Sequence, residues 1–182
     1  MKLFLTAVIS CLAFLFTGSE SNLFYISSVS VKFRSEAPLE VISAESAKMQ
    51  GIIDADKKNF AFSVLNSSFM GFNSKLQQVH FNENYMESDI YPITSFKGKI
   101  IEDIDINTPG VYQIRAKGYL TVHGITKERI IRAQLTSTAD VLKLESEFTV
   151  LLNEHNIRVP KVVHEKIASE IKVEIKAEFK KK

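Results

Sequence analysis

Four histidines and their neighbouring carboxylates are the side chains of this sequence that could support acid–base or metal chemistry. The histidines are His80, His123, His155 and His164. Two of them adjoin a glutamate, but adjacent residues on a strand point to opposite faces, so Glu154-His155 and His164-Glu165 are not ready acid–base dyads. No two histidines have the i, i+4 spacing of a helical metal site, and the G-x-S-x-G, P-loop, Rossmann and H-E-x-x-H patterns are absent. The sequence therefore predicts no catalytic residues, no metal and no cofactor, with His123 and His155 as turn residues bonded to the backbone.

Composition and charge exclude some classes of protein and one class of partner. The chain has 182 residues, of which 45% are hydrophobic and 24% are charged, with 23 Lys and Arg against 21 Asp and Glu. This composition is typical of a globular domain and excludes a disordered or collagen-like chain. A net charge of +2 leaves no basic stripe for a phosphate backbone, so we expect no nucleic-acid partner.

The N-terminus has the pattern of a secretory signal peptide. Met1-Lys2 precedes an uncharged apolar run, residues 3–16, and small and polar residues follow at 17–21. The run is shorter than the roughly 20 apolar residues of a bilayer-spanning helix. We therefore predict a signal peptide over 1–21 and a single exported domain over 22–182, periplasmic or extracellular and without a membrane span. A lipid anchor on Cys11, the single cysteine, is the alternative.

Alternation of apolar and polar residues dominates the rest of the chain. It is clearest near the C-terminus, where residues 170–179 place every second side chain, Ile171 to Phe179, on one apolar face. The same period recurs over several further segments: 60–64, 96–100, 112–122, 131–135 and 142–152, with less regular examples at 24–34 and 39–54. Helical spacing or a helix-starting proline marks two more segments, 72–88 and 160–169.

About eight amphipathic strands with short connections predict an all-β fold with antiparallel neighbours. Closure into an eight-stranded barrel removes exposed edges and leaves an interior for packed side chains or one ligand. We therefore predict an extended eight-stranded antiparallel barrel with one or two short helices.

The inward faces of this barrel predict either a packed core or a lined cavity. Small residues at Gly98, Ala116, Gly118, Ala133 and Ser146 favour a cavity, because they leave room that larger side chains would fill. Burial of a lipid chain there gains about 0.8 kcal/mol per methylene. The side chains that we predict to contact such a ligand are Phe62, Val64, Phe69, Phe72, Leu76, Phe81, Tyr85, Phe96, Ile114, Leu120, Leu135, Leu144, Phe148 and Val150.

Several motifs, in order, resemble those of the YceI-like family. They are Tyr91-Pro92 with Phe96 and Gly98, then Gly110-x-Tyr112, then 118–127 (GYLTVHGITK), and last Phe148-x-Val150-x-Leu152 with His155, Ile157 and Pro160. The resemblance implies a lipocalin-like barrel with a helical insert, export, and an amphiphile whose tail lies inside the barrel.

Three functions follow from these observations. The first is an exported protein that holds a long-chain apolar molecule, an isoprenoid or another lipid, for carriage or sequestration. The alternatives are a lipid-directed enzyme that uses His123 and His155 near the cavity, and a solid-core protein that binds a partner through 72–88. An enclosed apolar cavity would favour the first over the third.

Overall fold

The computed structural model describes residues 22–138 and 140–181. The predicted signal peptide over 1–21, and with it Cys11, lies outside the described residues. So do Ala139 and Lys182.

The described residues form nine strands and one short α-helix. The strands are β1 (Leu23–Glu36), β2 (Val41–Ser46), β3 (Gln50–Asp54), β4 (Asn59–Leu65), β5 (Ile93–Ile100), β6 (Gly110–Val122), β7 (Ile125–Ser137), β8 (Val141–Leu151) and β9 (Glu170–Lys181). The helix is α1 (Lys75–His80), and one π-helical turn, Phe81–Tyr85, extends it. All neighbours are antiparallel, and β1 pairs with β9, so the sheet closes on itself.

The barrel has eight strand positions, because β2 and β3 share one of them. β2 pairs with the second half of β1, from Val31 to Glu36, and β3 pairs with its start, from Leu23 to Tyr25. The predicted eight-stranded antiparallel barrel is therefore confirmed. The predicted strand at 39–54 is divided at 47–49 into β2 and β3. Near the end of β2, Glu45 also pairs with Met70 of the insert, N–H to O, at 2.8 and 2.9 Å.

The two non-strand segments are shorter than their patterns suggest. In the first, the Ser74 hydroxyl accepts a hydrogen bond from the Gln77 N–H at 3.2 Å and caps α1, which begins three residues after Phe72. In the second, residues 160–169 contain only a 3₁₀ turn, Lys161–Val163. The prediction of one or two short helices holds for the first segment.

One end of the barrel, which we call the closed end, is solidly packed. Its core contains fully buried inward side chains: Phe24, Ile53, Ile106, Leu135, Leu142 and Phe179. Ile106 comes from the β5–β6 loop rather than from a strand, and the Ser137 hydroxyl fixes it by donating to its carbonyl at 2.6 Å. The loop therefore plugs this end.

Two inward glycines act differently from the prediction. Gly98 and Gly118 are paired across β5 and β6, and a Cβ on Gly98 would lie 2.1 Å from the Lys117 carbonyl oxygen. The two backbones therefore approach too closely for any side chain. The idea that these glycines leave room in the interior is wrong, since their absent side chains allow close strand contact instead.

The wall has an incomplete seam between β7 and β8. These strands pair only from Gln134 to Ser137, against 142–145, whereas β6 and β7 pair along their full length. Beyond the last pair, side chains bridge the strands: the Ser146 hydroxyl donates to the Arg132 carbonyl at 2.7 Å, and Arg129 donates to the Thr149 carbonyl at 2.9 Å. The seam therefore separates at the end opposite the plug.

Candidate functional site

A cavity of about 350 Å³ occupies the barrel interior at the end opposite the plug, which we call the cavity end. Here β1, β4, β6 and β8 end and β5, β7 and β9 begin. Three segments cover it: the β1–β2 loop at 37–40, the helical insert at 66–91, and the β8–β9 connection at 152–169. The strands thus supply the walls and the connections supply the cover.

Aromatic rings form much of the cavity lining. Phe33 of β1 lies against three rings of the insert, with centroid distances of 5.3 Å to Phe69, 5.8 Å to Phe72 and 5.2 Å to Phe81. Offset and edge contacts at these distances are favourable for aromatic pairs. The rings therefore attach the insert to the barrel wall while several of their faces remain exposed to the cavity.

Several inward side chains at the cavity end are only partly buried, which shows that the space between them is not filled. Phe62, Phe96, Phe148 and Val173 point inward and line the cavity, yet each is only partly buried. Inward residues of the closed end, such as Leu135, are fully buried. The difference arises because the cavity-end side chains have contacts on one side and a void on the other.

Deep polar side chains of the cavity already have protein partners. The Asn66 amide donates to the Tyr91 carbonyl at 2.7 Å and accepts from the Thr94 hydroxyl at 2.8 Å. The Ser35 hydroxyl accepts from the Ala168 N–H at 2.8 Å, and Ser146 is bonded across the seam. Among the described residues, no buried side-chain nitrogen or oxygen lacks a partner. The interior therefore presents mainly hydrocarbon to whatever occupies it.

His80 and Lys166 mark the mouth of the cavity. Of the described residues that line it, they are the two whose side chains are exposed. His80 is the last residue of α1, and Lys166 lies in the β8–β9 connection. The opening therefore lies between these two covering segments, next to Glu40 of the β1–β2 loop, which also lines the cavity.

A model of a known protein family covers most of the chain. The model of the YceI-like domain matches residues 16–179. The chain belongs to the YceI-like family. A search of the curated proteins finds no match.

Several solved structures share this fold at low sequence identity. A polyisoprenoid binding domain from Saccharophagus degradans is 7% identical, with a TM-score of 0.72, over 90% of this chain and 100% of that one. BcnA of Burkholderia cenocepacia is 13% identical, with a TM-score of 0.69, over 82% and 95%. The YCEI protein of Campylobacter jejuni is 14% identical, with a TM-score of 0.63, over 76% and 84%. At these identities the likeness shows the fold, which is the YceI-like barrel.

In this YceI-like barrel, eleven of the fourteen side chains predicted to contact a ligand line the cavity. They are Phe62, Val64, Phe69, Phe72, Phe81, Tyr85, Phe96, Leu120, Leu144, Phe148 and Val150. Their contact with a ligand remains a prediction.

The other three predicted residues lie outside the cavity. Leu76 is exposed, because the face of α1 that includes Gln77 and His80 turns to the cavity instead. Ile114 and Leu135 are buried in the closed end, where the plug leaves no void beside them. The alternation places both side chains inward but carries no information about the depth of the void.

Several lining residues were missed by the sequence analysis. Phe33, Val122, Val173 and Ile175 lie on strands, and their alternation could have identified them. Four others come from connections: Met49, Ile157, Val163 and Ile167. Connections have no regular period, so alternation marks none of these four, although Ile157 belongs to one of the family motifs.

The histidines of the YceI-like motifs fix the backbone of the cavity end. His123 and Gly124 form the β6–β7 turn, both with positive φ, and a Cβ on Gly124 would lie 2.5 Å from the Tyr91 ring. His123 Nδ1 lies 3.0 Å from the His155 carbonyl oxygen, and its Nε2 lies 2.6 Å from Glu87 Oε2. One side chain therefore ties the turn to two of the covering segments, the insert and the β8–β9 connection.

His155 is buried under the same turn, where its Nδ1 lies 3.1 Å from the Ile125 carbonyl oxygen. Burial lowers the pKa of His155 by disfavouring the charged ring. No hydrogen bond joins the imidazole rings of His123 and His155, and neither residue lines the cavity. The alternative of an enzyme built on these two residues gains no support from this geometry.

The described residues contain neither a metal-binding cluster nor a membrane-spanning helix. No group of three His, Cys, Asp or Glu side chains within 22–138 and 140–181 is placed to hold a metal ion. Among those same residues, no helix has the length and apolarity needed to cross a membrane.

Proposed function

We propose that this protein is an exported binding protein that holds the apolar chain of an isoprenoid or another lipid in its cavity, for carriage or sequestration. The observation that carries the proposal is a hydrocarbon-lined void at one end of an otherwise packed barrel. A solid-core protein that binds a partner through its insert is disfavoured by the same void, because the insert is engaged in covering it.

The chemistry of the lining favours an apolar chain over a polar ligand. A buried water needs two to four polar partners, but Asn66, Ser35 and Ser146 already have theirs. The half-buried rings of Phe62, Phe96 and Phe148, in contrast, gain burial when a hydrocarbon enters. Each methylene removed from water stabilises the complex by about 0.8 kcal/mol. The cavity volume lies within the range of small-molecule sites, about 300–1,000 Å³.

The mouth orients the ligand. Since the deep lining is apolar, the polar end of an amphiphile would remain near Lys166 and His80, the exposed residues at the opening. The polar end would keep its contact with water there, while the chain extends toward the plug at Ile106.

Two further observations support the proposal. The relative from Saccharophagus degradans is described as a polyisoprenoid binding domain and has the same fold. The apolar run at 3–16, between a basic start and small residues, has the pattern of a signal for export.

Extraction of freshly purified protein with organic solvent, followed by mass spectrometry, tests the proposal. We expect an isoprenoid or another lipid in near-stoichiometric amount from the wild-type protein. A133L adds volume inside the cavity and should lower the co-purified lipid at least about threefold, with a cost in the free energy of unfolding no larger than about 3 kcal/mol.

A61L is the matched control, because Ala61 lies on the exposed outer face of β4 and the variant adds the same volume outside the barrel. It should retain the wild-type amount of lipid. Repeated preparations without lipid, together with no uptake of added polyprenol by the delipidated wild-type protein, would contradict the proposal.

A further inference from the structure

Three exposed apolar side chains lie on the segments that cover the cavity, each next to a residue that lines it. Leu39, Leu76 and Val162 are 65%, 62% and 90% exposed, and each comes from a different covering segment. We call these three residues the rim. Single exposed apolar residues are ordinary, but a group around one opening is typical of an interaction surface.

Hydrogen bonds hold the three covering segments together. The Leu39 N–H donates to the Glu165 carbonyl at 2.9 Å, which joins the β1–β2 loop to the β8–β9 connection. The Gln77 side-chain amide donates to the Glu40 carboxylate at 2.6 Å, which joins α1 to the same loop. The rim is therefore fixed on one end of the barrel before any partner arrives, and little order must be gained on docking.

The rim side chains have no part in building the cavity. The adjacent residues Glu40, Gln77 and Val163 line the cavity. Leu39, Leu76 and Val162 are exposed and do not line it. The packing of the barrel therefore does not explain why these three positions carry apolar side chains.

Cations lie beside the rim without carboxylate partners. They are Lys75, Arg158, Lys161 and Lys166, and none of them forms an ion pair within the described part of the chain. The carboxylates nearby are largely engaged: Glu40 accepts from Gln77, and Glu36 is paired with Lys172 and Arg34. The segment 158–166 thus has three basic residues and one acid, Glu165.

We propose that the rim docks on the surface of an anionic lipid bilayer, with the mouth of the cavity facing the lipid. Apolar side chains enter the headgroup region, and cations beside them attract anionic headgroups. This inference rests on the proposed function, because docking lets an apolar chain pass between bilayer and cavity without crossing water.

Vesicle flotation tests the docking surface. All nine described strands lie between Leu23 and Lys181, so the protein is prepared as residues 22–182, which keeps the barrel and removes the apolar run at 3–16. We expect wild-type protein to float with vesicles of phosphatidylcholine and phosphatidylglycerol, more weakly with phosphatidylcholine alone, and less as salt is raised.

Two sets of variants separate the apolar and electrostatic contributions. L39S/L76S/V162S should lower partitioning onto the mixed vesicles at least about tenfold. K75Q/R158Q/K161Q should lower it by a similar factor and abolish the preference for phosphatidylglycerol. V111S/Y119S/I130S is the matched control: it removes three exposed apolar side chains from the outer wall and should float like wild type.

Absence of wild-type flotation, or equal flotation of the rim and control variants, would overturn docking. Lipid extraction from the same proteins keeps the two proposals distinct. If docking alone fails, the proteins still contain bound lipid, and the rim and control variants do not differ in flotation. Failure of the proposed function leaves no bound lipid in any variant, whatever the flotation.

Discussion

The two ends of the barrel are built from the same strands but differ in what fills them. At the closed end, Phe24, Leu142 and Phe179 pack without exposure around Ile106, which the β5–β6 loop inserts. At the cavity end, Phe62 and Phe148 of the same alternating pattern remain half-buried around a void of about 350 Å³. The strands thus determine which side chains point inward, and the connections determine whether these side chains meet a plug or a space.

The difference assigns separate tasks to the two ends. A packed interior loses contacts when an atom is removed, so the closed end stabilises the barrel. Side chains that line a void lack contacts on that side. The cavity end therefore contributes less stability and leaves apolar surface for a ligand. The incomplete β7–β8 seam fits this division, because the pairing holds near the closed end and is lost beside the cavity.

The largest expected effect tests the packed end. L135A removes a fully buried side chain and should lower the free energy of unfolding by about 3 kcal/mol, measured by urea denaturation. I130A on the same strand removes an exposed side chain and should change it by less than about 0.5 kcal/mol. A loss for L135A no larger than that of I130A would mean that the closed end is not the stabilising core.

A smaller loss of stability is expected from the lining of the void. F148A should cost about 1 kcal/mol, compared with the 3–5 kcal/mol typical of a fully packed Phe, because its ring already borders empty space. Urea denaturation of delipidated protein gives the value. A cost equal to that of L135A or larger would show that the two ends are equally packed and would remove the contrast between them.

The smallest expected effect concerns the buried histidine under the cavity-end turn. Burial lowers the pKa of His155 below its ordinary value of 6.5, so the unfolded chain takes up this proton first. The stability contributed by the neutral ring is present above about pH 6.5 and is lost as the pH falls below it toward the lowered pKa of the folded state. H155Q should therefore show a shallower loss of unfolding free energy between about pH 7.5 and about pH 5.5 than the wild-type protein.

The carboxylates do not obscure this comparison. Glu36 and Glu102 have pKa values lowered from 4.5 by hydrogen bonds and ion pairing with Lys172 and Arg115, so their contributions are lost at still lower pH. Equal pH slopes for the wild-type protein and H155Q would show that His155 is not titrating in this range.

Most of the barrel could be predicted because strand periodicity is a local property. The alternation of 170–179 or 142–152 is visible in the residues themselves, and it indicated both the strands and their inward faces. The interruption of the strand at 39–54 could not be predicted in this way. β2 and β3 pair with separate parts of β1, and Glu45 of β2 also pairs with Met70, far along the chain.

The candidate site was harder to predict from the sequence, because it also depends on contacts between segments far apart in the chain. Leu76 and Gln77 are adjacent in α1, and only the docking of the helix on Phe33 and Glu40 decides which of them lines the cavity. Gly98 and Gly118 appear in sequence as small inward residues, yet their meaning depends on how closely two strands approach.

By itself, the sequence determined the eight strand positions of the barrel, the inward faces, the short helix of the insert and the motifs of the family, because each of these depends on residues close together in the chain. Only the tertiary structure decided where the interior is full and where it is hollow. That outcome depends on loops such as the one that carries Ile106, which is fully buried among distant strands. Contacts between segments far apart in the chain leave no period in the sequence, and the position of the cavity is determined by such contacts.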